Sequence, residues 1–195
     1  MRREWTAIVA AFLLAVLPAA AAADRYEPDI PHSSIEFKIR HLGLSKVNGR
    51  FTQYQGFVDY DEDAIDRSGA SFVIQTASVD TGNEKRDAHL RTADFFDAEK
   101  NPEIRFESTA VEREGENWVL RGVLDMHGVK REIAFPFEVI GPVEDPWGGT
   151  RVGFEATLKI NREDWGVGWE NLQYRPPLIG NEVEIEIALE MIRKS

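Results

Sequence analysis

Apolar and polar residues alternate along most of the chain, a pattern typical of strands with one buried and one exposed face. The clearest run extends from Val183 to Met191, where apolar residues alternate mainly with glutamate. Eight runs of this kind span residues 33–40, 47–60, 70–79, 102–112, 118–126, 129–140, 152–160 and 182–191. Residues 25–31 contain two prolines and predict an extended lead-in, because proline disfavours both helix and central strand.

Short turns join most of these runs, which favours antiparallel pairing because parallel strands need long crossovers. Eight such strands form either a closed barrel or a two-sheet sandwich. Several runs exceed the usual length of about 5–6 residues, and long strands favour a tall eight-stranded barrel whose interior can hold one small ligand. The predicted fold class is therefore all-β with one short helix, an eight-stranded antiparallel β-barrel with an apolar interior.

A single stretch, residues 81–96, replaces the alternation with a helical pattern. Thr81 and Glu84 have the spacing of a capping box, in which a hydroxyl and a carboxylate satisfy the first backbone N–H groups. Asp87 and Arg91 are four residues apart, the spacing of an ion pair on a helix surface. The stretch predicts a short helix whose cap and ion pair face water.

The end of this stretch predicts a cover over one end of the barrel. The apolar residues do not follow a single helical stripe, so the helix is expected to end near Thr92. A separate turn at Phe95 and Phe96 would then point its rings inward. Together with Leu90, these rings are the part of the stretch expected to touch a ligand.

The first residues have the pattern of a secretory signal peptide. Arg2 and Arg3 precede an apolar segment at residues 8–17, and small residues before Asp24 offer a cleavage site. The apolar segment is too short to span a bilayer. We therefore predict a cleaved signal peptide over residues 1–23, a single domain over 24–195, and localisation in the periplasm.

Composition excludes several classes of function. The chain has no cysteine, which rules out thiolate nucleophiles and thiolate metal sites and means that stability must come from the core. The formal net charge is −11, which argues against a nucleic-acid partner. The same charge argues against lasting adsorption to an anionic membrane surface, and we expect no stable membrane insertion after signal cleavage.

Catalytic and metal-binding patterns are weak. The sequence contains no nucleophile elbow, P-loop or dinucleotide fingerprint. The four histidines, His32, His41, His89 and His127, do not have the spacing of a metal site. We predict no metal and no catalytic residue. Each histidine is interpreted as a hydrogen-bonded residue at a barrel end or turn, or, for His32 or His41, as a hydrogen-bond donor to a ligand head group. Asp87 beside His89 leaves a hydrolase or isomerase as the weakest alternative.

A series of motifs carries a family resemblance along nearly the whole chain after the leader. They are His32-Ser33 with Phe37 and His41, Val47-x-Gly49-x-Phe51, Ser78-Val79-Asp80-Thr81-Gly82-Asn83, Arg86-Asp87-x-His89-Leu90, Asp94-Phe95-Phe96, Asn101-Pro102-x-Ile104-x-Phe106-x-Ser108-Thr109, Gly122-x-Leu124-x-Met126-His127-Gly128-Val129 and Asn161-Arg162-x-Asp164-Trp165-Gly166. In this order they resemble the YceI-like family of exported lipid-binding barrel proteins. Trp165 departs from the pattern, because the family often has Phe at that position.

The resemblance implies a lipocalin-like barrel with a helix near one end and a cavity for a long amphiphile. Such a ligand would be a polyisoprenoid, an isoprenoid quinone or a fatty acyl derivative. We therefore predict a periplasmic binding or carrier protein for an isoprenoid-type lipid, with no cofactor besides that lipid. The predicted ligand contacts are His32, Phe37, His41, Phe51, Leu90, Phe95, Phe96, Phe106, Phe135, Phe137, Phe154 and Trp165.

Several alternatives stay open at this stage. The phenylalanines become ligand contacts only if the barrel is hollow, and a filled core would instead indicate an interaction module for an envelope partner. Trp165 and Trp169 flank two glycines and either plug one end of the barrel or flank its mouth. Edge strands of an incompletely closed barrel would allow two chains to pair as a homodimer.

Overall fold

The computed structural model describes residues 23–168 and 178–194. Within these residues the secondary structure comprises eleven strands, one α-helix and four 3-10 turns. The strands are β1 (Asp24–Pro28), β2 (Ser34–His41), β3 (Ser45–Phe51), β4 (Tyr54–Tyr60), β5 (Gly69–Gln75), β6 (Val79–Asp80), β7 (Glu103–Glu114), β8 (Asn117–Met126), β9 (Val129–Glu144), β10 (Thr150–Asn161) and β11 (Ile179–Arg193). The helix is α1 (Glu84–Leu90), and the 3-10 turns are Ile30–His32, Ile65–Arg67, Thr76–Ser78 and Arg162–Trp165.

Two sequence-based predictions fall outside this range. The predicted signal peptide, residues 1–23, lies almost entirely outside the described residues, and so does Trp169. Among the helices that the structure describes, none combines the length and the apolar character needed to cross a bilayer.

All eleven strands belong to one antiparallel sheet that closes into a barrel. The ring runs β1-β4-β5-β7-β8-β9-β10-β11, and β11 pairs with β1 to complete it. The remaining strands extend from β11 in the order β2-β3-β6. Since β1 and β2 pair with successive parts of β11, they are two segments of one path, as are β3 with β4 and β5 with β6. The predicted eight-stranded antiparallel barrel is confirmed, with three of its strands broken in two.

Residues 24–28 are extended, as predicted, but they are a strand of the barrel and not a lead-in to it. Residues 24–28 form β1, which pairs with β4 on one side and with β11 on the other. Pro28 is the last residue of the strand and pairs only with β11, so its missing N–H interrupts no ladder on the other side. Tyr26 points inward and is 3% exposed, which anchors the closing strand in the core.

Two of the three breaks in the long strands are bridged by one side chain. Ser78 lies at the 3-10 turn between β5 and β6, beside the break between β3 and β4. Its Oγ accepts from the N–H of Gln53 at 3.1 Å and donates to the carbonyl of Gln75 at 2.7 Å. Its carbonyl accepts from the N–H of Thr52 at 3.2 Å. The strands can therefore bend here while these backbone groups stay hydrogen-bonded.

Two clusters of buried side chains divide the barrel into two halves. The first, which we call the terminal half because it contains β1 and the end of β11, is built on Tyr26, Ile35, Tyr54, Val58, Tyr60, Ala70, Phe72, Val152, Phe154, Leu189 and Met191. The second, which we call the helix half because α1 packs beside it, is built on Phe51, Val79, Ile104, Leu124, Met126, Trp165 and Val167.

The wall of the helix half is interrupted between β9 and β10. Their ladder ends at the pair Ala156–Phe137. In contrast, β8 pairs with β9 as far as Val129, and β10 pairs with β11 as far as Asn161. Residues 129–136 and 157–161 therefore face each other without ladder pairing.

Candidate functional site

A cavity of about 610 Å³ lies inside the barrel and reaches both halves. This volume is within the range of about 300–1,000 Å³ found for small-molecule sites. Its walls are formed by the inward positions of nearly every strand, because period-two alternation places every second side chain on the same face. The aliphatic part of the lining includes Ile35, Ile39, Val47, Ile74, Leu120, Leu124, Ile133, Leu158, Ile185 and Ile187.

Aromatic rings close the cavity in the terminal half. The Tyr60 ring packs edge-on against Phe154 with centroids 5.6 Å apart, and against Tyr26 at 6.3 Å. Burial raises the pKa of both tyrosines above the ordinary value. Both phenols therefore stay neutral at physiological pH, and this end of the cavity presents uncharged rings to an apolar ligand.

Three phenylalanines form a connected row at the helix end of the cavity. The rings of Phe37 and Phe51 are 5.8 Å apart, and Phe51 meets Phe96 edge-on at 5.8 Å. Gly49 lies directly across from Phe37, and the Phe37 ring occupies the space that a Cβ at this position would need. The glycine therefore lets the Phe37 ring lie flat over β3.

The predicted capping box on α1 is wrong. The helix begins two residues later than that box requires, with Asn83 as N-cap and its side chain accepting from the N–H of Arg86 at 3.0 Å. Thr81 is instead engaged by Asp87, whose carboxylate accepts from the Thr81 N–H at 2.9 Å and from its hydroxyl at 2.5 Å. The hydroxyl is thereby removed from the helix end, and Asn83 provides the cap.

The predicted water-facing pair of Asp87 and Arg91 is also wrong. Asp87 is 6% exposed, and its carboxylate accepts the hydrogen bonds from Thr81. Arg91 reaches away from the helix and donates to the carbonyls of Ala77 at 2.7 Å and Val79 at 2.9 Å. Both charged side chains therefore fasten the segment after β6 to the barrel instead of stabilising an isolated helix.

The turn after α1 carries aromatic rings to the cavity, as the sequence predicts. Phe95 is buried and Phe96 half-buried, and both line the cavity together with Leu90. His89 packs edge-on against Phe95 at 5.0 Å, and its Nε2 lies 2.8 Å from Asp94. Segment 81–98 thus covers the cavity at the helix end.

The neighbouring part of the helix half is sealed by the 3-10 turn after β10. Trp165 is 2% exposed, and its Nε1 donates to the carbonyl of Leu124 at 3.2 Å. Arg162 is buried and donates to the carbonyls of Val167 and Gly180. Desolvation lowers the pKa of Arg162, but an arginine remains charged at physiological pH. Trp165 does not line the cavity, which agrees with the plugging interpretation of this residue.

Polar side chains reach the cavity mainly at its helix end. His41, Ser45, Thr81, Arg86 and His89 belong to the lining. Arg86 Nε donates to the Thr81 hydroxyl at 2.7 Å and another guanidinium nitrogen donates to the Thr81 carbonyl at 2.9 Å. Glu36, Ser68, Glu155 and Arg162 also belong to the lining, but most of the wall is apolar. A largely apolar cavity with donors near one end matches an elongated amphiphile.

The family of the protein follows from comparison with known sequences. The model of the YceI-like domain matches residues 26–191. The chain belongs to the YceI-like family. A similar relative is a UPF0312 protein of Serratia proteamaculans, 38% identical over 183 residues that cover 94% of this chain and 93% of the relative.

Solved structures share the fold of this YceI-like protein. BcnA of Burkholderia cenocepacia superimposes with a TM-score of 0.75 at 22% identity, over 84% of this chain and 98% of BcnA. A polyisoprenoid-binding domain from Saccharophagus degradans superimposes with a TM-score of 0.67 at 18% identity, over 87% of this chain and 98% of that domain. At these identities the likeness establishes the barrel architecture.

The structure brings together ten of the twelve predicted contact residues along the cavity of this YceI-like barrel. They are Phe37, His41, Phe51, Leu90, Phe95, Phe96, Phe106, Phe135, Phe137 and Phe154. Trp165 and His32 do not line it. His32 lies in the 3-10 turn after β1, with an exposed side chain whose Nδ1 is 3.0 Å from Asp29. The aliphatic lining residues were missed, although the same period-two alternation marks them.

One group of side chains in the described part of the chain has metal-ligating atoms close together. Ligand atoms of Asp29, His32 and Glu190 lie within 4.8 Å of one another. Arg151 Nη1 already donates to Asp29 at 2.6 Å and to Glu190 at 2.5 Å. The guanidinium supplies the positive charge between the two carboxylates, so we interpret the group as an ion-pair network on the outside of the terminal half.

Proposed function

We propose that this YceI-like protein binds the hydrocarbon chain of a long isoprenoid-type amphiphile, such as a polyisoprenoid or an isoprenoid quinone, and carries it through the periplasm. The cavity is the single observation that carries the proposal. Its volume of about 610 Å³ and its lining of aliphatic and aromatic side chains suit a hydrocarbon chain. The isoprenoid class extends to this chain what is stated for the S. degradans domain of the same fold.

A carrier needs apolar volume and no reactive group. Burial releases about 0.8 kcal/mol per CH₂, so about twenty carbons would contribute ~16 kcal/mol against water. That value approaches the ceiling of roughly 18–21 kcal/mol for non-covalent binding. In a membrane the chain is already out of water, so transfer from bilayer to barrel is nearly neutral on the chain alone. We therefore propose an exchanger in which cavity length and head-group hydrogen bonds set the preference.

The cavity also bears on the two alternatives. A filled core, as expected for a pure interaction module, is not what the described residues enclose. For catalysis, a buried reactive pair would have to face the cavity. The Asp87 carboxylate is instead committed to Thr81, and we assign no catalytic residue.

The proposal is tested by identifying the lipid that stays bound to the purified protein. The chain should be produced with its own leader in a bacterial host, and the secreted form examined by native mass spectrometry and organic extraction. We expect a mass increase from a bound lipid and an isoprenoid in the extract. Ligand-free protein with no lipid in the extract would contradict the proposal, and a straight-chain lipid alone would contradict the isoprenoid class.

A matched pair of variants separates cavity binding from surface adsorption. Ala156 lines the cavity, whereas the adjacent Thr157 points outward and is exposed. Ala156→Trp should lose most of the bound lipid because the indole occupies the cavity, and Thr157→Trp should retain it. Overpacking costs about 1–3 kcal/mol, so the fold of Ala156→Trp should be verified by circular dichroism. Equal lipid content in both variants would place the lipid outside the barrel.

A further inference from the structure

The interruption between β9 and β10 has a cause in the sequence. The two-residue turn between β8 and β9 makes Met126 and Val129 a hydrogen-bonded pair. Pairs alternate along an antiparallel ladder, so Val119 and Pro136 form a non-hydrogen-bonded pair. The nitrogen of Pro136 consequently faces β10. Continuing the β9–β10 register places it opposite Thr157, where the next hydrogen-bonded pair would form and where proline has no N–H to donate.

A cleft of about 590 Å³ lies between the parted strands. Its lining includes residues 130–134 of β9 and 158–161 of β10. Three of these side chains, Ile133, Leu158 and Ile160, also line the cavity inside the barrel. The cleft and the cavity therefore share a wall of apolar side chains, at a place where no ladder hydrogen bond joins the strands.

The side chains differ sharply between the two sides of the gap between β9 and β10. On the barrel side of this gap, the surfaces are aliphatic and aromatic. Outside it, the cleft presents Lys130, Arg131, Glu132, Lys159 and Asp164. Lys159 pairs with Glu182 at 2.9 Å. An amphiphile could thus keep its chain inside the barrel while its polar head stays among the charged groups of the cleft.

The alternative route past α1 requires more disruption. Segment 81–98 is fastened by the buried carboxylate of Asp87, which accepts from the N–H and the hydroxyl of Thr81. It is fastened again by Arg91, which donates to the carbonyls of Ala77 and Val79. Opening this end breaks the hydrogen bonds of both Asp87 and Arg91, whereas opening the cleft needs rotation of apolar side chains, a small separation of strands that are already unpaired, and loss of one hydrogen bond, from Arg131 Nε to the carbonyl of Asp164.

We propose that the cleft between β9 and β10 is a lateral portal, through which the hydrocarbon chain of the ligand enters and leaves while the polar head occupies the cleft. This proposal rests on the proposed lipid-binding function. It assigns entry to the side of the barrel and assigns a covering role to α1 and the Phe95–Phe96 turn.

A covalent staple across the cleft tests the portal. Ala134 and Lys159 are exposed and lie opposite each other when the β9–β10 register is continued, and the chain has no cysteine of its own. Ala134→Cys combined with Lys159→Cys can be joined by oxidation if the Cα atoms come within about 7 Å, or otherwise by a short bis-maleimide. The control is Thr157→Cys with Glu186→Cys, a pair on the intact β10–β11 ladder.

The readout is release of a dansyl-labelled polyprenol from loaded protein to phosphatidylcholine vesicles. Stapling the cleft should slow release by about tenfold or more, equivalent to a barrier increase of at least ~1.4 kcal/mol, while the control staple leaves the rate unchanged. Loaded protein that releases the probe equally fast with and without the cleft staple would overturn the portal alone. Failure of every form, stapled or not, to take up the probe would overturn the lipid-binding function as well.

A single substitution provides a second test that needs no cross-link. Ile133→Ala removes a side chain shared by cleft and cavity and should accelerate release. Val123→Ala, on the outer face of β8 outside the cavity lining, is the matched control. A release rate for Ile133→Ala no faster than that of the control would also argue against the portal.

Discussion

The two halves of the barrel are closed in different ways. In the terminal half, the ladders continue around the ring, and β1 pairs with both β4 and β11 to complete it. In the helix half, segment 81–98 lies between β6 and β7, and β9 separates from β10. There the closure depends on Asp87, Arg91 and Arg162, whose side chains hold irregular segments in place.

Because the two halves are closed differently, one should govern the stability of the barrel and the other access to its cavity. A barrel wall that is closed by backbone hydrogen bonds opens only when much of the sheet unfolds, because neighbouring strands share their ladders. Segments held by a few side chains, or by apolar contact alone, can open locally at a smaller free energy. The terminal half should therefore determine the global stability of the barrel, and the helix half the exchange of its contents.

The largest effect on stability is expected in the core of the terminal half. Met191 is fully buried between Pro28 and Val152 on the neighbouring strands. Met191→Ala should lower the free energy of unfolding by about 2–5 kcal/mol, the range for truncating a buried aliphatic residue. Denaturant titration monitored by circular dichroism measures this change.

A substitution in the helix half provides the comparison. Ile185 is half-buried and borders the existing cavity. Ile185→Ala removes less packed apolar surface than Met191→Ala does, so the free energy of unfolding should fall by about 1 kcal/mol. If Ile185→Ala destabilises the protein as much as Met191→Ala, the two halves do not differ in packing and the comparison fails.

The sequence predicts the regular part of this architecture well. Period-two alternation identifies the strands because each has one face on the interior, and the two-residue turns at Gly115-Glu116 and His127-Gly128 fall between the runs that this alternation predicts. The sequence does not reveal the role of β1, because Pro28 and Pro31 argue against a paired strand and obscure the alternating pattern around Tyr26. The parting of β9 from β10 was also missed, although Pro136 within a strand run is a known signal of an unpaired edge.

The site was predictable where it follows from alternation and less so elsewhere. Phe106, Phe135 and Phe154 line the cavity because strand periodicity fixes their face. His32 was expected at the ligand but lies in a 3-10 turn outside the cavity lining, where period two no longer applies. The cap of α1 was misassigned because Thr81 and Asn83 are both good caps, and only the tertiary contact with Asp87 decides between them.

An intermediate effect is expected where side chains hold the cover of the helix half. Asp87→Ala leaves the N–H of Thr81 without its carboxylate partner. Hydrogen bonds to charged groups contribute about 1.5–3 kcal/mol, so we expect the free energy of unfolding to fall by about 2 kcal/mol. Hydrogen exchange measured by mass spectrometry should accelerate in residues 81–98 more than in β10 and β11.

Asp94→Asn is the control for this substitution. Asp94 belongs to the same segment, but its side chain is 53% exposed, so its replacement should change stability little. Uniform acceleration of exchange across the whole barrel in Asp87→Ala would show that segment 81–98 does not open separately.

The smallest effect is expected from the ion-pair network outside the terminal half, and it should depend on pH. Arg151 donates to Asp145 at 2.8 Å and to Asp29 at 2.6 Å, and these hydrogen bonds lower the pKa of both carboxyl groups. A carboxyl group with a lowered folded-state pKa contributes stability above its unfolded pKa of about 3.9, and this contribution disappears as pH falls through the folded-state value.

Arg151→Met should therefore lower the thermal midpoint by a constant amount above about pH 4, with a difference from the unsubstituted protein that shrinks at lower pH. Arg121→Met is the control, because it removes the same charge from an exposed network with Glu112 and Glu114. Since both variants change the net charge equally, any general repulsion cancels between them. A difference between Arg151→Met and the control that persists unchanged to pH 2 would show that Arg151 acts through packing, and that the terminal half relies on its backbone ladders and core alone.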